Sequence, residues 1–261
     1  MARRLILTAI ITLIVPGLVA AQDVAQPELQ TRLVNLPTHL ALTGGTMQVL
    51  FTHRFTDTVS HAGAGNLYGL DSSADIGIGL AMGFGHGLDA EVYRSALFKE
   101  YEAALKWTAL RQGRSFPLGV AFRFGSDYRA VSGLKDRWAG FAQVVIARRF
   151  GSSLDVFVVP TFVSDTPTLR KARNVGLGIS LHLPHAWDIA GEAVPANRDV
   201  SSSHAAWAVG FVKRVPGHAF LIYFGNSRAT TTDLIAGSDI PGGFNRGDVR
   251  LGFNLIRRFP E

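Results

Sequence analysis

The sequence predicts an all-β protein: a single antiparallel up-and-down transmembrane β-barrel of about twelve strands. Three observations lead there. Segments of about ten residues alternate apolar and polar side chains, the period of a strand whose two faces meet different surroundings. Short and long connections between these segments take turns along the chain, with one exception near 96–98. One face of each segment is hydrocarbon while the other collects charge, the reverse of what a water-soluble barrel needs.

Residues 1–21, MARRLILTAIITLIVPGLVAA, come first. Arg3 and Arg4 precede an apolar run from Leu5 to Val15, Pro16 and Gly17 break it, and Val19-Ala20-Ala21 supplies small residues. This pattern predicts a secretory signal peptide cleaved before Gln22. The apolar run is short for a membrane-spanning helix, and no later stretch is long enough for one. The 261 residues contain no cysteine, so an exported chain here relies on core, ladder or lipid, and neither disulfides nor a lipid-modified cysteine is expected. The formal charge of +6 includes the two leader arginines, and the remaining basic residues are scattered rather than clustered as nucleic-acid binding requires.

Residues 22–45 form an N-terminal segment that the pattern does not assign: an additional strand around Thr38 to Leu42, or a piece lying in the lumen or along its rim. Residues 46–261 form the barrel domain. Its strands are predicted near 46–55, 73–83, 87–95, 99–111, 117–125, 137–150, 153–163, 173–183, 186–195, 204–214, 218–226 and 247–259. The segment RNVGLGISLHL, from Arg173 to Leu183, shows the period plainly, with Val175, Leu177, Ile179, Leu181 and Leu183 on one face. Tight turns at 84–87, 150–153, 183–186 and 215–218, with 112–117, fall at one end. The longer connections 56–72, 126–136, 164–172, 196–203 and 227–246 fall at the other, the arrangement of outer-membrane barrels. Trp107, Trp138, Trp187 and Trp207, with Phe84 and Phe150, are candidates for interfacial girdles.

Alternation turns Arg54, Asp75, Asp89, Glu91, Glu102, Lys106 and Arg123 toward the lumen, making them the candidate lumen-lining residues. Charges of both signs in a narrow space must pair. Two readings follow: a salt-bridged interior that fills the barrel, or a polar lining that selects solutes. Strand number alone does not choose between them.

Other motifs point away from catalysis. Gly77, Gly79 and Gly83 imitate a dinucleotide loop, but they lie inside a strand and no helical period follows. His86, His185 and His218 sit in separate tight turns, too far apart to converge on one ion. Ser180 and His182 share a strand face without an evident third residue to orient them. No catalytic, cofactor or metal residue is assigned, and no enzyme is expected. Arg129, Lys135, Arg137, Arg170, Lys171 and Arg173 are expected to face outward from the loops, toward lipopolysaccharide phosphates or solvent. The final strand, Arg250 to Phe259, alternates Phe253, Leu255, Arg257 and Phe259, in part like the insertion signal of such barrels.

Several short motifs add a resemblance. His53-Arg54-Phe55, Leu67-Tyr68-Gly69-Leu70-Asp71, Tyr93-Arg94-Ser95, Lys99-x-Tyr101 and Leu110-x-Gln112 resemble, in this order and spacing, an uncharacterised family of bacterial outer-membrane β-barrel proteins known as a domain of unknown function. The resemblance covers nearly all of the chain after the leader. It implies barrel and outer-membrane location but no activity, so no residue role comes with it. The expected partners are outer-membrane lipid, lipopolysaccharide and, during insertion, the barrel-assembly machinery; no nucleic acid is expected. Two functions fit: passive passage of small polar or amphiphilic solutes, or a closed structural or lipid- or ligand-binding barrel. A soluble exported β protein or an outer-membrane hydrolase fits less of the pattern.

Overall fold

A strand that meets hydrocarbon on one face must satisfy every backbone group sideways, so the sheet can have no free edge. The computed structural model of the chain, which describes residues 31–133, 137–167, 171–196, 204–237 and 248–259, meets that demand with a closed barrel. The strands are β1 Met47–Phe55, β2 Ala74–Gly85, β3 Leu88–Ser95, β4 Glu100–Leu110, β5 Gly119–Arg129, β6 Trp138–Phe150, β7 Leu154–Val163, β8 Ala172–Leu183, β9 Trp187–Val194, β10 Ala206–Val215, β11 His218–Gly225 and β12 Arg250–Phe259. Each pairs antiparallel with its sequence neighbours, and β1 closes the ring on β12 from Met47↔Phe259 to Arg54↔Gly252.

The predicted alternation fixes which face is which. On β2, Ile76, Ile78, Leu80 and Met82 are exposed, while Gly77, Gly79, Ala81 and Gly83 turn inward. On β4, Tyr101, Leu105 and Trp107 face out, and Glu100, Glu102, Ala104, Lys106 and Thr108 face in. Trp107, Trp187, Phe84 and Phe150 lie exposed at the short-turn end, where aromatic rings suit a membrane interface; Trp138 does so at the long-loop end. The β2–β3 turn needs left-handed backbone at Gly85, His86 and Gly87, with φ of 82°, 51° and 80°, which explains glycine on both sides of His86.

Strand boundaries fall within a few residues of expectation, and the end of the fifth departs furthest: the pattern ends that strand at Gly125, and β5 continues to Arg129. Asp127 and Arg129 keep the inward parity of Arg123 and are fully buried. Arg129 is therefore not an outward loop cation: its guanidinium turns into the barrel toward carboxylates. Lys171 and Arg173 are exposed, Arg173 over the Phe162 ring, and Lys135 and Arg170 lie outside the described residues.

The lipid-facing assignment yields a direct test. Ile78, near the middle of β2, is 57% exposed on the outer face. Ile78→Arg is expected to lower the stability of the barrel folded into bilayers by about 2–4 kcal/mol, whereas the same change in an aqueous protein surface would be nearly neutral. Denaturant titration in phospholipid vesicles measures the difference.

Candidate functional site

In this twelve-stranded ring the inward side chains do not fill the lumen alone. Two stretches of the same chain occupy the difference. Residues 31–46 enter from the short-turn end, without forming a strand beyond the isolated bridge Arg32↔Pro37. Residues 226–237, ending in a short helix Thr232–Gly237, fold in from the long-loop end. They are called here the plug and the lid.

The plug docks through polar groups supplied by the wall. Its Arg32 Nη2 lies 2.9 Å from Glu91 Oε1 and 3.0 Å from Glu102 Oε1. The Glu192 carboxylate on β9 accepts the backbone N–H groups of Val34, Asn35 and Leu36 and the side-chain amide of Asn35. Arg54 donates to Asn35 Oδ1, Asn254 donates to the Val34 carbonyl, and Asp89 accepts the Leu42 N–H. These bonds replace a secondary-structure ladder for backbone that has left the water.

Packing adds to them. Leu33 and Leu36 join an apolar cluster with Val145, Phe157, Val159 and, from the lid, Leu234 and Ile235. A Cβ on Gly83 would sit 2.2 Å from the Thr43 carbonyl oxygen, so the wall must be bare where the plug backbone crosses it. The His39 ring likewise lies where a Cβ on Gly119 would be.

The lid bonds to β4 and β5. Thr231 donates to Glu100, the Thr232 N–H donates to Glu102 Oε2 at 2.7 Å, and Arg123 donates to Thr232 Oγ1 at 2.9 Å. Arg129 places Nε and Nη2 on Asp233 Oδ2 at 3.0 and 2.7 Å. Glu102 is thus shared: one oxygen takes Arg32 of the plug and Arg123 of the wall, the other takes the lid backbone. The voids between plug and wall at Thr31–Arg32 and between plug and lid at Asn35–Pro37 hold about 10 and 20 Å³, the room of a single water.

All seven sequence-predicted lumen residues lie on the inward face, and the fold groups five of them. Asp89, Glu91, Glu102, Lys106 and Arg123 make one cluster, with Lys106 Nζ 3.4 Å from Asp89 and Arg123 bonded to Glu102. Arg54 and Asp75 are paired in register but bond elsewhere, Arg54 to Asn254 and Asp75 to Arg228 of the lid segment. Strand alternation could not find Arg32 or Thr231–Asp233, because plug and lid have no strand period; Glu192 lies on β9 with the inward parity of Asp188 and was legible. Glu100 on β4 was legible by the parity of Glu102, and Asp127 and Arg129 by the parity of Arg123 had β5 been extended past Gly125.

At the short-turn end a second network crosses five strands, β6 to β10. Arg149 clamps Asp155, His182 holds Asp155 through Nε2 and Asp188 through Nδ1 at 2.9 and 2.7 Å, and Arg214 holds Asp188. Both imidazole nitrogens are engaged by carboxylates, so neither is open to take a proton from the Ser180 hydroxyl. Among the described residues no group of His, Asp and Glu is arranged to hold a metal ion.

With this geometry in hand, comparison with known proteins places the chain. The family model described as "Membrane bound beta barrel domain (DUF5777)" matches residues 29–259, and the chain belongs to that family. No curated protein matches it in sequence. Among solved structures, the NanC porin is similar with a TM-score of 0.51 and 9% identity, covering 81% of this chain and 98% of that one. The outer membrane phospholipase A of Escherichia coli gives 0.49 and 14%, over 82% and 90%. The Acinetobacter baumannii outer membrane protein Omp33 gives 0.47 and 10%, over 82% and 98%. At 9% identity the likeness to the NanC porin is one of fold.

Glu192 is the firmest polar anchor of the plug, and removing it strands three buried N–H groups. Glu192→Ala is expected to cost plug docking about 2–3 kcal/mol or more. Trypsin reads this at the Arg32–Leu33 bond, which is buried in the intact barrel: cleavage should quicken roughly 30-fold or more in the variant, by the same energy.

Proposed function

We propose that this barrel rests in the bacterial outer membrane as a sealed passage, closed at one end by the plug and at the other by the lid. One observation carries the reading: both inserts are bonded into the lumen with water-sized voids along the plug, and a larger cavity, of about 220 Å³, is confined to the short-turn rim at β10, β11 and β12. Outer-membrane residence is supported by the family's description as membrane-bound and by strands that turn hydrocarbon outward and charge inward. Of the two functions open to the sequence, the closed barrel fits this state.

Passage of small polar solutes is the second reading, and a specific feature favours it as a conditional activity. While its Leu33 and Leu36 rest on an apolar surface across the lumen, on the β3–β5 side the plug covers wall carboxylates and cations, including Asp89, Glu91, Glu102, Lys106 and Arg123. A wall of that kind remains compatible with water once uncovered. The plug can therefore leave without exposing hydrocarbon to solvent on this side of the lumen.

Planar bilayers test the reading. The chain lacking residues 1–21 is expected to be silent or to open rarely, and further deletion through Gly45 should give frequent or steady conductance. Steady conductance from the chain with its plug would contradict it, provided heat-modifiable migration on a gel shows that the barrel is folded.

Acid should loosen the seal. Burial pushes the His39 imidazole down to about 4, against its ordinary value of 6.5. The released ring binds a proton that the docked ring refuses. Docking is thus complete above pH ~6.5 and weakens as pH falls toward ~4, by up to ~3 kcal/mol. Openings of the otherwise intact chain should become more frequent across this window, and His39→Phe should flatten the dependence.

A further inference from the structure

We infer that the lid occupies a ligand site on β4 and β5, and that this site takes a small carboxylate carrying hydroxyl groups. The inference rests on the sealed-barrel reading, since the site is reachable only when the lid lifts.

The lid presents to the wall the functional groups of such a molecule. Asp233 offers a carboxylate, which Arg129 grips through two nitrogens. Thr231 and Thr232 offer hydroxyls a few atoms away, one donating to Glu100 and the other accepting from Arg123. The wall groups are held independently of the lid. Arg123 is also bonded to Glu102 and Gln143, and Arg129 to Asp165 and Glu100, so the site is not assembled by the lid's arrival. A guanidinium pinned by other partners, whose Nε and Nη2 converge on one carboxylate oxygen, suits recognition of a carboxylate.

Beside these wall groups Asp127, fully buried, lies directly across the β4–β5 ladder from Glu102 with its carboxyl held against the Glu102 carboxyl, so the polar lining of the wall continues past the groups that the lid engages. Asp233 in that view is an internal stand-in for the ligand's carboxylate, and the two compete for Arg129.

Saturation-transfer NMR on the detergent-folded barrel tests this with three matched probes: glycerate, propanoate, which lacks the hydroxyls, and glycerol, which lacks the carboxylate. Asp233→Ala removes the stand-in. It is expected to bind glycerate about tenfold or more tightly than the unaltered chain does, a charge-assisted bond's worth of affinity. Propanoate and glycerol should bind markedly less well, and adding Arg129→Lys should weaken glycerate again. Replacing residues 229–236 by a glycine-serine linker of equal length gives a second route to the open site, with the same expected preference. The inference is overturned if either variant, shown to be folded by heat-modifiable migration, ignores glycerate or binds glycerol equally. Binding needs no through-passage, so this result stands apart from conductance: a barrel that binds nothing yet is silent loses the site and keeps the seal.

Discussion

Hydrocarbon offers no hydrogen-bond partner to a peptide group, and the rest of this structure depends on that constraint. It forces the sheet to close, closure joins β1 to β12, and up-and-down antiparallel order follows from joining strands in sequence. The two-residue period then puts every second side chain into lipid and every other one into the lumen. Leu50, Thr52 and Arg54 point inward on β1 for the same reason that Phe51, His53 and Phe55 do not.

The consequence inside is electrostatic. Twelve strands enclose a space in which charges are cut off from bulk water, and unpaired charges there are costly. The wall of β3 to β5 alone contributes Asp89, Glu91, Glu100, Glu102, Lys106, Arg123, Asp127 and Arg129. Some pair with one another, as Lys106 does with Asp89, but the strands cannot complete the set. Arg32 from the plug and the Thr232 amide from the lid meet Glu102 on its two oxygens. The inserts are thus the missing partners of a charged wall. On the opposite side of the lumen, Val145, Phe157 and Val159 give Leu33 and Leu36 an apolar bed, which holds the plug without demanding ions.

The fold was largely legible because one physical signal, period two, was repeated twelve times and reinforced by alternating connection lengths. The seven lumen residues were found by the same parity. What escaped was everything held by irregular backbone. Residues 31–46 carry no strand period, and nothing local in Asn35 or Leu36 announces that their amides meet Glu192 more than 150 positions away. Arg129 lies beyond the predicted end of the fifth strand, and the pairing of Glu102↔Asp127 and Glu100↔Arg129 with β4 is what carries β5 that far. The glycines that imitate a nucleotide loop were rightly read as strand. Their reason is tertiary: Gly83 clears a path for the plug, and Gly77 lies beneath the Tyr93 hydroxyl.

The central claim is that plug and lid are both docked in the resting barrel, sharing Glu102. Amide hydrogen exchange in bilayer nanodiscs measures it most directly, at Val34 and Leu36 in the plug and Thr232 in the lid, each of which donates to a wall carboxylate. The account predicts that these amides exchange slowly, nearer to the ladder amides of β4 than to open loop amides. Exchange at the rate of unprotected peptide at either insert, in a barrel whose ladder amides remain protected, would contradict it.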